Sequence, residues 1–176
     1  MIRLYPQLNT HFCKNDCDII KEFYNRYMDD GFLPWPNHVN INTFLNLIND
    51  LDENLEFIIE PAKHHVNPDG KLFQELNFLD VMVILHADGN IETDVYYKET
   101  NSHDYLNFNS HHPHHIKKNI PYNLAKRIII FCSNSDTVRC RLEDLKSWLL
   151  NCGYPLHIIT QGFHNAKLQG PAPKPK

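Results

Sequence analysis

Apolar residues recur in two rhythms along this chain, and the rhythm changes near Ser110. Before that point short alternating runs are separated by Asp, Asn, Gly and Pro; after it apolar residues recur every three or four positions between Pro or Gly breaks. Residues 15–24, NDCDIIKEFY, place Ile19, Ile20 and Phe23 at helical spacing behind an Asn or Asp cap, which predicts a short helix. The next stretch, NRYMDDGFLPWP over 25–36, predicts a hairpin with both Asp29 and Asp30 at its tip and Gly31 assisting the turn. NINTFLNLINDLDENLEF then sets Phe44, Leu47, Ile48 and Leu51 on one helical face capped by Asn42 or Thr43, and LEFIIE over 55–60 reads as a strand. KHHVNPDGKL is expected to be a loop turning at Pro68-Asp69-Gly70. LNFLDVMVILHADGNIETDVYYK holds two alternating runs about Asp88-Gly89-Asn90, the strongest hairpin signal in the chain, and Asp80 interrupts the first as a buried acceptor or a turn-facing acid.

Three helices are expected after Ser110. The first runs from near Pro121 to Cys132, the second from a Ser135 or Asp136 cap to Cys152. Gly153 takes the C-terminal capping position and Pro155 opens the third helix. Val138, Leu142, Leu145, Leu149 and Leu150 give the second an apolar stripe, and the short connections imply that the three helices contact mainly one another. The tail GPAPKPK is Pro-rich and is expected to be extended.

Composition narrows the class. With 176 residues, 42% apolar and 11% aromatic, the chain has material for one sizeable core or two small subdomains, which excludes a disordered protein. It has no run of about 18 uncharged apolar residues and its start lacks the apolar core of a signal peptide, so an intracellular protein, nuclear or cytoplasmic and neither secreted nor membrane-bound, is expected. The five cysteines are odd in number and scattered, which suits reduced thiols; Cys13 and Cys17 lack the second close pair of a structural zinc site. Charge is divided unevenly. Residues 1–110 hold 7 Lys/Arg against 18 Asp/Glu, and residues 111–176 hold 10 against 3. A basic C-terminal third argues for contact with a polyanion, and nucleic acid is the leading partner.

Adjacent carboxylates at a hairpin tip are either a solvated turn or ligands of a hard cation. The order of elements bears on that choice. RYMDD (26–30), FLDV (78–81), TDVYYK (93–98), YL (105–106), Ser110 with His112 and Pro113, IPY (120–122), Arg127 and GYP (153–155) together resemble the palm-to-thumb segment of Penelope-like retroelement reverse transcriptases, over about residues 4–168. The resemblance implies an α+β fold: a partial reverse-transcriptase palm over 1–109, built of antiparallel hairpins and helices, a three-helix thumb or helix-turn-helix-like module over 110–170, and a disordered tail over 171–176. It implies that Asp29 and Asp30 are catalytic acids binding Mg2+, because phosphoryl transfer to a primer 3′-hydroxyl uses two divalent cations about 3.5–4 Å apart. Its partners are an RNA template and a DNA primer or other duplex nucleic acid, met at Lys98, His112, Lys117, Lys118, Lys126, Arg127, Arg139 and Arg141.

Such a palm carries a further aspartate on an earlier strand, and only 26 residues precede Tyr27. A C-terminal fragment of an RNA-directed DNA polymerase is therefore expected, inactive alone, weak in Mg2+ binding, and prone to self-association through an exposed sheet edge. Pro34 and Pro36 interrupt the second strand of the hairpin. HHPHH over 111–115 has no flanking acid or thiol ligands and reads as a junction loop rather than a metal site. The competing class is a non-catalytic helix-turn-helix-like module that binds duplex nucleic acid with the three C-terminal helices, its turn near CSNSD (132–136).

Overall fold

The computed structural model describes residues 13–36, 38–50, 52–54 and 56–170. Among them are five helices and six strands in two antiparallel sheets, the α+β class that the patterning predicts. The chain divides into two compact units, 1–61 and 62–176. The sheet of the second unit therefore belongs with the C-terminal helices; the step at residues 109 and 110 follows the change from strand to helix.

In the first unit, α1 (Lys14–Phe23) leads into the hairpin β1 (Asn25–Tyr27) and β2 (Asp30–Phe32), and α2 (Ile41–Asn49) follows. Cys17 and Ile20 of α1 and Phe44 of α2 are buried together, with Leu33, Trp35, Leu47 and Ile48 packed around them. Asn40 caps α2, its side chain accepting from the Asn42 N–H at 2.9 Å, so the cap falls earlier than Asn42 or Thr43. Tyr27 pairs with Asp30 in the hairpin. The tip is thus Met28-Asp29, Asp30 opens β2, and Gly31 lies in the strand opposite Arg26, which corrects the expectation of both acids at the tip. Met28 supplies the positive φ of 51° that the turn requires. LEFIIE forms no strand among its described residues: Phe57 exchanges hydrogen bonds with the Asn49 side chain at 2.7 and 3.2 Å in place of a neighbouring strand. Leu51, the opening MIRLYPQLNTHF and the tail from Pro171 lie outside the described residues.

The second unit opens with a four-stranded meander, β3 (Lys63–Val66), β4 (Leu72–Phe78), β5 (Val81–His86) and β6 (Ile91–Val95), in that spatial order. KHHV is a strand rather than a loop, in register with β4 from Lys63 opposite Glu75 to Val66 opposite Leu72. The expected turn at Asp88-Gly89-Asn90 joins β5 to β6, with Gly89 at φ 86°. A second tight turn, Leu79-Asp80, joins β4 to β5 and holds Leu79 at φ 55°, a conformation that costs a branched side chain energy.

Three helices complete the unit: α3 (His114–Phe131), α4 (Ser135–Asn151) and α5 (Leu156–Gln169). The first begins seven residues before Pro121, which lies inside it rather than at its first turn. Asn134, not Ser135 or Asp136, caps α4 by accepting from the Asp136 N–H at 2.9 Å. Its other end closes as expected around Gly153, at φ 80°: the Gly153 N–H donates to Leu150 O at 2.9 Å and the Tyr154 N–H to Leu149 O at 3.0 Å. This is a Schellman closure with Tyr154 as the buried apolar residue that follows it. Leu142, Leu145 and Leu149 enter the core with Ala125, Ile128, Ile159 and Ala166, while Leu150 stays exposed.

These helices are not packed on one another alone. Val95 of β6 belongs to their core, and Ser133, between α3 and α4, pairs with the backbone of Thr93. The Ser133 N–H donates to Thr93 O at 2.9 Å and the Thr93 N–H to Ser133 Oγ at 2.9 Å, closing the β6 edge of the sheet.

Candidate nucleic-acid interface

Four of the eight residues picked out by sequence, Lys117, Arg127, Arg139 and Arg141, are held by partners within the second unit. Arg141 makes a two-pronged pair with Asp94 of β6, Nη2 to Oδ2 at 2.6 Å and Nε to the two carboxylate oxygens at 3.1 and 3.2 Å. Asp94 also accepts from the Val95 N–H at 2.7 Å and from the Cys132 thiol at 3.2 Å. Burial pushes the Asp94 carboxyl up, but the Arg141 hydrogen bonds and charge, with Cys132 and the Val95 N–H, outweigh it and hold the carboxyl below its ordinary range. Burial and the same carboxylate raise the Cys132 thiol to about 11. Arg127 donates to Asp80 at 2.8 Å and lies over the rings of Tyr97 and Phe131. Asp80 is thus the turn-facing acid, joining the β4–β5 turn to α3.

Lys117, expected to meet phosphate, is turned inward. It is buried, its ammonium donates to Phe108 O at 2.7 Å and Ser110 O at 2.8 Å, and it sits over the Phe108 ring. It ties the segment before α3 to the helix, and a cation held by two carbonyls is not free for a phosphate. On α4, Arg139 pairs with Asp136 at 3.2 Å and Lys146 with Glu143 at 3.1 Å. His112 meets Ser110 Oγ at 3.2 Å in the exposed segment before α3, and Lys98 is exposed beside the Asp80–Arg127 pair.

Lys118 and Lys126 are brought together on one face. With Tyr122 they stand at four-residue intervals along α3; Lys118 and Tyr122 line an open groove of about 650 Å3 between α3 and α5, and Lys126 stands one turn beyond Tyr122, outside that lining. The far wall carries Gln161, Asn165 and Gln169 at the same interval. At one end the Tyr122 hydroxyl donates to Gln169 Oε1, and the Lys126 ammonium reaches that hydroxyl at 3.3 Å. At the floor Gly162 lies against Pro121 and Tyr122 so closely that a Cβ there would stand 2.9 Å from the Tyr122 backbone nitrogen. Sequence reading missed Gln161, Asn165 and Gln169; their four-residue spacing was the available signal, but uncharged polar residues at that spacing also describe an ordinary solvated helix face.

Asp29 and Asp30 lie in the first unit, both exposed, one in a turn and one opening a strand. Among the described residues no group of three or more His, Cys, Asp or Glu side chains converges to hold a metal ion. Two exposed neighbouring carboxylates do not by themselves make a site for two divalent cations, so the described residues do not fit the Mg2+ pair that the resemblance implies. No helix among the described residues is long and apolar enough to cross a membrane.

A family model described as the animal helix-turn-helix domain matches residues 104–164, the span that contains α3, α4 and most of α5. No curated protein and no solved structure matches the chain. The C-terminal part of the chain is a helix-turn-helix module whose three helices are joined by two turns, Cys132–Asn134 between α3 and α4 and Cys152–Pro155 between α4 and α5.

Proposed function

We propose that this protein binds nucleic acid through its helix-turn-helix module, chiefly by phosphate contacts and without catalysis by that module. The observation that carries the reading is how charge is distributed over the three helices. Neither α3 nor α5 contains an Asp or Glu, whereas α4 contains three and spends them on its own cations. Lys118, Lys126 and Lys167 make no ion pair among the described residues. Three such cations, each releasing a counterion on meeting a phosphate, give log affinity a slope of about −2 to −3 against log salt. Affinity for a mixed-sequence nucleic acid, offered as an RNA–DNA hybrid and as its separate DNA strand, is therefore expected to fall on the order of tens-fold from 50 to 200 mM salt. Absence of binding at low salt, or binding indifferent to salt, refutes this reading.

A second reading, favoured by the Tyr27-Met28-Asp29-Asp30 hairpin, is that the chain is a palm-to-thumb segment of an RNA-directed DNA polymerase of a retroelement, with the palm over 1–109. The hairpin is supported by the β1–β2 pairing, and a helix and a further antiparallel meander follow it, although the strand the resemblance places over 55–60 is not formed among the described residues. The purified chain is expected not to extend a DNA primer on an RNA template with Mg2+ present, since the described carboxylates do not complete the cation site. Extension that is lost in Asp29→Ala shows the opposite.

A further inference from the structure

We infer that the groove between α3 and α5 receives a single strand of nucleic acid, with phosphates on Lys118 inside the groove and on Lys126 just beyond its Tyr122 end, and base edges on Gln161 and Asn165. The inference rests on the nucleic-acid reading above and adds to it which surface binds and in what strand state.

Charge complementarity selects the groove. Both helices that wall it lack carboxylates, so a polyanion lying there meets no like charge from either of them. The α4 surface does not offer this, because Asp136, Glu143 and Asp144 stand among its cations. Lys118 and Lys126 are eight residues apart on one helix, about 12 Å along its axis, a span of a few nucleotides. The opposite wall supplies the other half of a recognition surface. Gln169 is taken by the Tyr122 hydroxyl, but Gln161 and Asn165 are exposed and make no side-chain hydrogen bond among the described residues, leaving each amide a donor pair and an acceptor.

The strand state follows from shape. A duplex buries its base edges between two phosphate ridges and is read by a convex element that enters one of its grooves. Here the amides lie on the wall of a concavity, with Lys118 on the opposite wall, Tyr122 with Gln169 bridging one end, and Lys126 just outside that end against the Tyr122 hydroxyl. Bases reach such amides when they are unstacked and turned away from their backbone, as in a single strand.

Fluorescence anisotropy with a labelled mixed-sequence 12-nucleotide DNA, alone and annealed to its complement, tests this on the full chain. The single strand is expected to bind at least tenfold tighter than the duplex at equal salt. Lys118→Ala and Lys126→Ala should each lower the single-strand salt slope by about 0.7. Gln161→Ala combined with Asn165→Ala should weaken binding at least fivefold with the slope unchanged, and Lys146→Ala on α4, a cation already paired with Glu143, should change neither. All these sites are exposed or half-buried, so thermal melting checks that the fold is retained. If the duplex binds as tightly as the strand, or the Gln161/Asn165 change has no effect, the groove assignment is overturned while phosphate binding by the module stands. If neither probe binds at low salt, both fall.

Discussion

Arg141→Ala is expected to cost the protein about 3 kcal/mol of stability, a large share of the roughly 5–15 kcal/mol that holds a domain folded. Asp94 is almost fully buried, and Arg141 is the group that neutralises it. Removing the guanidinium leaves a buried carboxylate with only the Val95 N–H and the Cys132 thiol, neither of which carries positive charge. The cost comes mainly from that stranded anion, so Asp94→Leu combined with Arg141→Met should recover part of the loss. Denaturant unfolding measures the difference, and a change within about 0.5 kcal/mol would show that the clamp between β6 and α4 carries no weight. Nucleic-acid binding should keep its salt slope in Arg141→Ala at a temperature where the variant is folded, because the guanidinium already belongs to Asp94.

The same variant should reverse the local response to acid. The wild-type Asp94 carboxyl is held below its unfolded value, so its contribution is fully present above about pH 4, the unfolded value, and is lost as pH falls through the folded one. Without Arg141, burial dominates and pushes the folded carboxyl above its unfolded value. Asp94 then favours the folded state more as pH falls and the group protonates. Stability of Arg141→Ala relative to wild type should therefore improve between pH 7 and pH 4.5, and a gap that widens over that range contradicts the assignment.

Local signals were read where the chain itself determines the structure. Gly153 ends α4 because only a residue tolerant of φ 80° fits the closure, and Leu142, Leu145 and Leu149 face inward because their spacing follows the helix. The misreadings occur where a distant partner decides. KHHV has no alternation to mark it as a strand, yet β4 supplies a register for it. Leu79 carries no turn signal, and the pairing of β4 with β5 forces it to φ 55°. Charge depends on distant partners in the same way. A count of cations does not show that Asp80 and Asp94, 47 residues from their partners, have claimed Arg127 and Arg141, or that carbonyls have claimed Lys117. What remains for a polyanion among the described residues is smaller than the composition suggests, and α3 and α5 carry Lys118, Lys126 and Lys167 of it, with Lys118 inside the groove.

Gly162→Leu is expected to open that groove and destabilise the module by about 3 kcal/mol or more, with Gly162→Ala intermediate. At Gly162 even one added carbon would stand 2.9 Å from Pro121 Cβ and from the Tyr122 backbone nitrogen, and 3.2 Å from the Pro121 carbonyl carbon. Two of these three atoms are α3 backbone, which cannot rotate away as a side-chain tip can, so α3 and α5 must separate. Alanine gains about 1 kcal/mol in helix propensity over glycine, against roughly 1–3 kcal/mol for overpacking. The net for Gly162→Ala is a loss of up to about 2 kcal/mol, and leucine adds bulk with little further propensity to offset it. Separation also moves Tyr122 away from Gln169 and Lys118 away from Gln161. Single-strand affinity should then drop in Gly162→Ala even where the protein is fully folded, with a smaller change in salt slope than in Lys118→Ala. A Gly162→Ala protein as stable as wild type, binding the strand as tightly, would mean that the helices do not cross at this distance in solution.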